Sequence, residues 1–365
     1  MATLSQSLSC AVKTICKETI GFRFDYPLEL VPQAGPKDSL HYYLYSDALT
    51  WEAMRLDSKG IPQAWYRVTG TQYWPAYVAW YGLVNLGHHL RRRDQASLDI
   101  FLNQIDWLER QAVIREDGTA VWTMNFDYPV GPTLLRAPWV SAHAQGLVMS
   151  ALVRGWRITG RLNLLDLLSR SAKLFELDAD HDGIRVPVSG HVLYTEVPGG
   201  PPPGILDGFM TSLLGLYDLY TETGDLHVSK LFVDGIEGLK FMLPSWDYHR
   251  KWSWYGSHGY LSPPAYHCLN RLLLKVLGRL SNEPVLEDHA LGWDHERLSR
   301  IERAEIFLAF LLTKNACRLR NKTWRRNPSL RLSGRSILSS ANSSVPSAGR
   351  LPIAGRDRPA SWLPL

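Results

Sequence analysis

Apolar residues fall at helical spacing along most of the middle of this chain. Tyr77, Trp80, Tyr81 and Val84 follow the i, i+3, i+4, i+7 pattern, and Leu98, Phe101, Ile105 and Leu108 repeat it. The second run is predicted to end before Glu116-Asp117-Gly118, and a hairpin with Val121-Trp122 on one side and Phe126 on the other is expected next. Helices are predicted from Trp139 to Trp156, Leu164 to Phe175, Asp207 to Tyr220, His227 to Phe241, Tyr266 to Leu280 and Leu298 to Leu312. Between them, His181 to Pro198 reads as β, with an Asp182-Gly183 turn and alternating Ile184, Val186 and Val188. Near the start, Phe22, Phe24 and Tyr26 alternate, and His41 to Tyr45 reads as another strand. The expected class is mainly α: antiparallel helix pairs set around an (α/α) toroid or barrel, with inserted β-hairpins and a small N-terminal β-containing segment. The expected divisions are residues 1–60, 61–317 and 318–365.

Composition and charge sharpen this. The net charge of +5 over 365 residues is a local effect. From Arg318 to Leu365 there are nine Arg and one Lys against one Asp, in a stretch rich in Ser, Pro and Gly. Such a stretch buries too little apolar surface to offset its ordering entropy, so a solvated, disordered tail is expected. It carries no aromatic interleaving of the kind a nucleic-acid arm uses. No run of 18 apolar residues exists, so no membrane-spanning helix is expected, and the first 30 residues lack an apolar signal-peptide core. A cytoplasmic location is expected. Four cysteines without CxxC spacing exclude a disulfide scaffold and a cysteine zinc knuckle. Asp178 to Gly183 copies half of an EF-hand loop, but Ser189 stands where the bidentate Glu belongs, so a turn is expected and no metal site. No GxGxxG lies at a strand–helix junction, and no cofactor is expected. Fourteen Trp and 16 Tyr exceed ordinary core needs and favour a sugar-binding groove.

Gly208 and Gly215 sit inside a predicted helix, where each costs about 1 kcal/mol relative to Ala. Something must approach closely at those points, either a neighbouring helix or a ligand. The surrounding stretch Gly208-Phe209-Met210-x-Ser212-Leu213-x-Gly215-Leu216-Tyr217-Asp218-Leu219 resembles the C-terminal domain of the D-glucuronyl C5-epimerases. In the same order, Trp139-x-Ser141-x-x-Ala144-Gln145-Gly146, Leu239-Lys240-x-x-Leu243-Pro244, Trp252-Ser253-x-Tyr255 and Tyr266-His267 are similar to further motifs of that family. The resemblance covers roughly residues 60–314.

The chemistry it implies is removal of the C5 proton from a glucuronate residue of an acidic polysaccharide such as heparosan or heparan sulfate. That proton lies α to a carboxylate, so the site must neutralise the charge and stabilise an enediolate-like state. A proton must also return from the opposite face. The resemblance assigns catalytic roles to Tyr266, Tyr255 and Glu196. Substrate binding is assigned to His258, Tyr194, Trp139, Gln145 and Asp207, with Asp207 also expected as a helix N-cap. Two departures stand out. Val197 replaces a family tyrosine after Glu196, and His258 replaces an arginine. An isomerase is expected, as a homodimer by resemblance, with a polysaccharide lyase or a non-catalytic uronan binder as the alternatives.

Overall fold

The computed structural model describes residues 21–326 apart from 25, 36–38, 47–54, 67–68, 131–132 and 201. Four helical hairpins dominate it: α1 Pro75–Arg92 with α2 Gln95–Gln111, α3 Ala142–Thr159 with α4 Leu162–Ser171, α5 Leu206–Thr223 with α6 Leu226–Met242, and α7 Pro264–Ser281 with α8 Pro284–Gly292. A last helix, α9, spans Arg300–Arg326. The mainly helical class holds.

The four hairpins share one turn. Arg93, Gly160, Gly224 and Asn282 each end a helix in the left-handed conformation, and the next residue already caps or precedes the following helix. A single residue at positive φ closes the helix end and reverses the chain at once. Odd-numbered helices lie side by side in the order α1, α3, α5, α7, and each even-numbered helix covers its predecessor. The inner helices α3 and α5 run parallel and very close. A Cβ added to Gly146 would lie 2.4 Å from the Ser212 Cα, and one on Gly215 would lie 2.4 Å from the Gly146 carbonyl. Helix-to-helix approach therefore explains Gly215. The two helices correspond at an offset of 64 residues, as do their outer partners.

The strands are short and antiparallel: β1 Glu29–Leu30 with β2 Leu44–Tyr45, β3 Arg55–Leu56, β4 Pro62–Tyr66 and β5 Gly70–Gln72 in one sheet, and β8 Tyr128–Val130 with β9 Thr133–Leu135. The hairpin expected between Val121 and Phe126 is displaced. β6 Val113–Ile114 pairs with β7 Ala120–Val121 across the Glu116-Asp117-Gly118 turn, with Val113 opposite Val121. Gly118 takes φ +82°, so the sequence read as a helix stop is a hairpin corner. β10 Arg185–Val188 and β11 His191–Tyr194 pair through Ser189-Gly190, both at positive φ, which is the turn that matches strand twist. β12 Asp247–Tyr248 and β13 Trp252–Ser253 complete the set.

Three further expectations change. Among the described residues of 22–26 none is in a strand; Phe22 and Phe24 instead pack on Trp252, at ring distances of 6.2 and 5.6 Å. The helix over Pro284–Gly292 has no apolar stripe to announce it. The last helix continues past residue 318, so the start of the stretch expected as tail is helical, and residues 327–365 lie outside the described residues. No helix among the described residues is long and apolar enough to cross a membrane. Trp122, Trp246, Trp252 and Trp293 are fully buried, which accounts for part of the tryptophan excess as plain core.

Candidate active site

Asp207, Glu196 and His143 meet where three elements end. Ser141 caps α3, accepting from the Ala144 amide, so His143 projects from the first turn. The Ala142 amide donates to the Thr195 carbonyl at 3.1 Å, which draws the end of β11 to that turn. Glu196 follows immediately. Asp207 stands in the first turn of α5, and Ile205, not Asp207, occupies its capping position. The expected N-cap role is thus corrected: Asp207 lies two residues further in.

His143 Nδ1 lies 3.5 Å from Glu196 Oε2, and one ligand-type atom from each of His143, Glu196 and Asp207 lies within 4.8 Å of the others. Glu196 and Asp207 are buried, at 8% and 3% exposure. Gly208 explains how Glu196 fits. A Cβ there would stand 2.1 Å from Glu196 Oε2, so the side chain lies across bare backbone at the start of α5. Unlike Gly215, this glycine makes room for a site carboxylate.

The electrostatics are those of crowded anions. Burial, and next the Glu196 carboxylate, push the Asp207 pKa up to about 7, against the opposing pull of His143. Burial disfavours the charged form of His143, yet Glu196 and Asp207 outweigh it and raise the pKa. Asp207 Oδ1, Glu196 Oε2 and His143 Nδ1 are all buried and make no hydrogen bond. Buried polar atoms are nearly always paired, so three orphans at one point are unusual.

The two proposed proton carriers join this cluster. Tyr255 and Tyr266 meet edge to face at 5.2 Å, and Tyr260 stacks on Tyr255 at 5.2 Å. Burial first, then the neighbouring phenols and the Asp207 and Glu196 carboxylates, raise both pKa values well above 10. The phenols are therefore neutral at rest and hold their protons tightly. Val197 packs with Ile205, Tyr255, Tyr260 and Cys317 in a small cluster apart from the main core. Its isopropyl group thus faces the tyrosines.

His258 approaches Tyr255 at 5.4 Å, but burial lowers its pKa, Glu196 opposing and Lys314 reinforcing the shift. It does not supply the arginine's positive charge at neutral pH. Lys314 on α9 brings a nearby cation instead: its ammonium sits 3.6 Å from the centre of the Tyr260 ring and is itself buried.

Three expected ligand-binding residues have structural partners of their own. Tyr194 is fully buried against Phe175 and Phe209, and its hydroxyl donates to the Leu231 carbonyl at 2.9 Å. Gln145 donates to the carbonyls of Ala120 at 2.8 Å and Ser171 at 3.0 Å, tying α3 to β7 and the end of α4. Trp139 donates to the Phe126 carbonyl at 3.0 Å and stacks on Tyr128 at 5.7 Å. It belongs to an aromatic wall with Tyr66, Trp74, Phe126 and Tyr128. Tyr128 reaches the site's field, since Glu196 adds to the burial that raises its pKa.

His143 and Lys314 were missed from sequence. His143 fell at an unassigned position of the Trp-x-Ser-x-x-Ala-Gln-Gly pattern, and only its place two residues past the Ser141 cap, on the first turn, could have signalled it. His267, next to Tyr266, is structural. Its Nε2 donates to the Trp293 carbonyl at 3.0 Å, so its Nδ1 accepts the Ser253 amide at 3.1 Å. The half EF-hand is a turn: Asp178 pairs with Arg185 at 2.6 Å and a strand follows.

Residues 116–295 match the family described as D-glucuronyl C5-epimerase C-terminus, and the resemblance read from the motifs holds over that stretch. A D-glucuronyl C5-epimerase of Caenorhabditis elegans is 28% identical over 223 residues, covering 56% of this chain and 35% of the relative. An uncharacterised protein of Methanocaldococcus jannaschii is 25% identical over 177 residues, covering 47% of this chain and 56% of that one. The chain thus spans about a third to just over half the length of these relatives. A solved chain described by UGL and dGlcA-Glc-Rha-Glc aligns over 60% of each chain at 12% identity with a TM-score of 0.39, too slight a likeness to define the fold.

Proposed function

We propose, from the premise that residues 116–295 match the D-glucuronyl C5-epimerase C-terminal family, that the chain is a uronate C5-epimerase-like enzyme acting on a glucuronate-containing polysaccharide. One observation carries the reading. Glu196, Tyr255 and Tyr266 come from three separate motifs, and all three share one buried electrostatic neighbourhood. The frame proposed for it is an (α/α) toroid whose inner row is α1, α3, α5 and α7, with the basic stretch beyond it as a tail.

In this reading a uronate enters against the aromatic wall, and Tyr255 and Tyr266 handle protons at C5. Because both phenols rest in the neutral form, removal of the C5 proton first requires one phenol to give its proton to the Glu196 carboxylate; the phenolate oxygen then takes the C5 proton, and the other phenol can donate to the carbanion. Lys314 offsets the negative charge that develops nearby. Val197 leaves one face without a hydroxyl. That favours a second outcome, elimination at C4, because a lyase needs no second-face donor.

The test is heparosan in deuterated water followed by proton NMR and ultraviolet absorbance. C5 deuterium incorporation is expected. A new unsaturated uronate chromophore would move the assignment to a lyase, and neither signal would leave only a binder. Tyr266→Phe and Tyr255→Phe each remove one hydroxyl, and turnover is expected to fall by about 10²–10⁴. Near-native turnover in both would remove the tyrosines from the mechanism.

A further inference from the structure

His143, Glu196 and Asp207 present three different ligand atoms to one point from the ends of α3, β11 and α5. Each of those atoms is buried, and each lacks a hydrogen-bond donor or acceptor. Asp207 is 97% buried by the measure of its 3% exposure, yet its Oδ1 is left facing the other two groups. The His143–Glu196 ion pair leaves the buried Asp207 Oδ1 unaccounted for. His143 and Glu196 pair at a long 3.5 Å, and Asp207 Oδ1, buried beside them, receives no hydrogen bond.

We propose that His143, Glu196 and Asp207 bind one divalent transition-metal cation of the Zn2+ or Mn2+ class. Two ligands at about 2.1 Å from a tetrahedral metal stand roughly 3.4 Å apart, and His143 Nδ1 and Glu196 Oε2 are 3.5 Å apart. All three ligand atoms lie within 4.8 Å of one another. The donor set selects the class. Two carboxylates and one imidazole suit Zn2+, Mn2+ or Fe2+, the absence of sulfur disfavours Cu(I), and the imidazole disfavours Ca2+ and Mg2+. Gly208 holds the site open, since any side chain there would displace Glu196. The site does not rest on the epimerase reading, and a cation bound there would sit beside the tyrosines whatever their role.

Untagged full-length protein, stripped with a chelator and dialysed, is titrated separately with Zn2+ by calorimetry and with Mn2+ by electron paramagnetic resonance. One equivalent per chain at micromolar or tighter affinity is expected. Asp207→Asn and His143→Ala should each weaken it by at least about tenfold. Asp180→Asn alters the exposed Asp178, Asp180 and His181 group, the other such cluster among the described residues, and should change nothing. Circular dichroism checks folding; should Asp207→Asn unfold, His143→Ala at the partly exposed rim decides. No saturable binding at millimolar metal, binding retained by the folded site variants, or binding lost with Asp180→Asn would each overturn the proposal.

Discussion

The helices α3 and α5 place titratable residues opposite one another toward each end, at the same offset of 64 residues. At one end Arg154 pairs with Asp218; at the other His143 and Asp207 share a cluster with Glu196, with which His143 pairs. About three helical turns, or roughly 16 Å, separate the two ends. At the first end both members of the charged pair are satisfied, although the Tyr42 hydroxyl and Ser150 Oγ beside them are not. Arg154 donates to both Asp218 oxygens, at 2.7 and 3.3 Å, and to the carbonyls of Leu40, His41 and Ser150, while the Tyr43 hydroxyl donates to Asp218 at 2.8 Å. At the second end a third group, Glu196, adds an anion rather than a donor. The same pair of helices thus holds a closed structural lock and an open site, and the hydrogen-bond inventory tells them apart where burial alone does not.

The lock should be expensive to break. Arg154→Met leaves the Asp218 carboxylate buried with the Tyr43 hydroxyl but no cation, and a loss of about 3–5 kcal/mol is expected in urea unfolding. A loss under 1 kcal/mol would erase the contrast between the two ends. His267 provides a second closed cluster. Burial lowers its pKa to about 3, and both ring nitrogens are engaged as a neutral imidazole. Because the unfolded chain takes up that proton near pH 6.5 and the folded one does not, its contribution is present above that value and lost as pH falls. The stability gap between wild type and His267→Gln should therefore narrow by about 2–3 kcal/mol between pH 7.5 and 4.5. A constant gap would show that His267 titrates normally.

Periodicity located the helices because each inner helix buries a continuous stripe, as Leu206, Phe209, Met210 and Leu213 do on α5. It misplaced the β6–β7 corner because Asp117-Gly118 serves a helix stop and a hairpin turn equally well. It missed α8, which is short, at nine residues, and carries no continuous apolar stripe. In the site, motifs found Glu196, Tyr255 and Tyr266 because their types are tied to a resemblance. Motifs also pointed to Tyr194 and Gln145, whose polar atoms are spent on backbone carbonyls. Such partners come from residues 25 to 37 positions away, and no local pattern encodes them. His143 was invisible for the same reason: its meaning depends on where β11 ends.

Val197→Tyr probes the open end from its apolar side. Val197 already packs against Tyr255, so a phenol there overfills the cluster, at a cost of about 1–3 kcal/mol. In deuterated water the wild type is expected to exchange C5 protons faster than it inverts the centre, and the variant to raise the inverted fraction. Efficient inversion by the wild type would mean that another group serves the second face.

The smallest effect bears most directly on the contrast. In chelator-treated protein, Asp207→Asn removes a charge from a crowd of anions while keeping its shape, and its new amide can donate to Glu196. A stability gain of about 1 kcal/mol is expected, opposite in sign to what Arg154→Met does at the far end of the same helices. Saturating Zn2+ should reverse that order. At a hundredfold excess over Kd a bound metal stabilises the wild type by about 2.7 kcal/mol, and a variant that binds weakly forgoes most of it. The crossing of the two stability curves with added metal, read by thermal unfolding with and without chelator, joins the unpaired lone pairs to a ligand. A destabilised Asp207→Asn in metal-free protein would mean that the aspartate is already well paired, and that the two ends of α3 and α5 are alike.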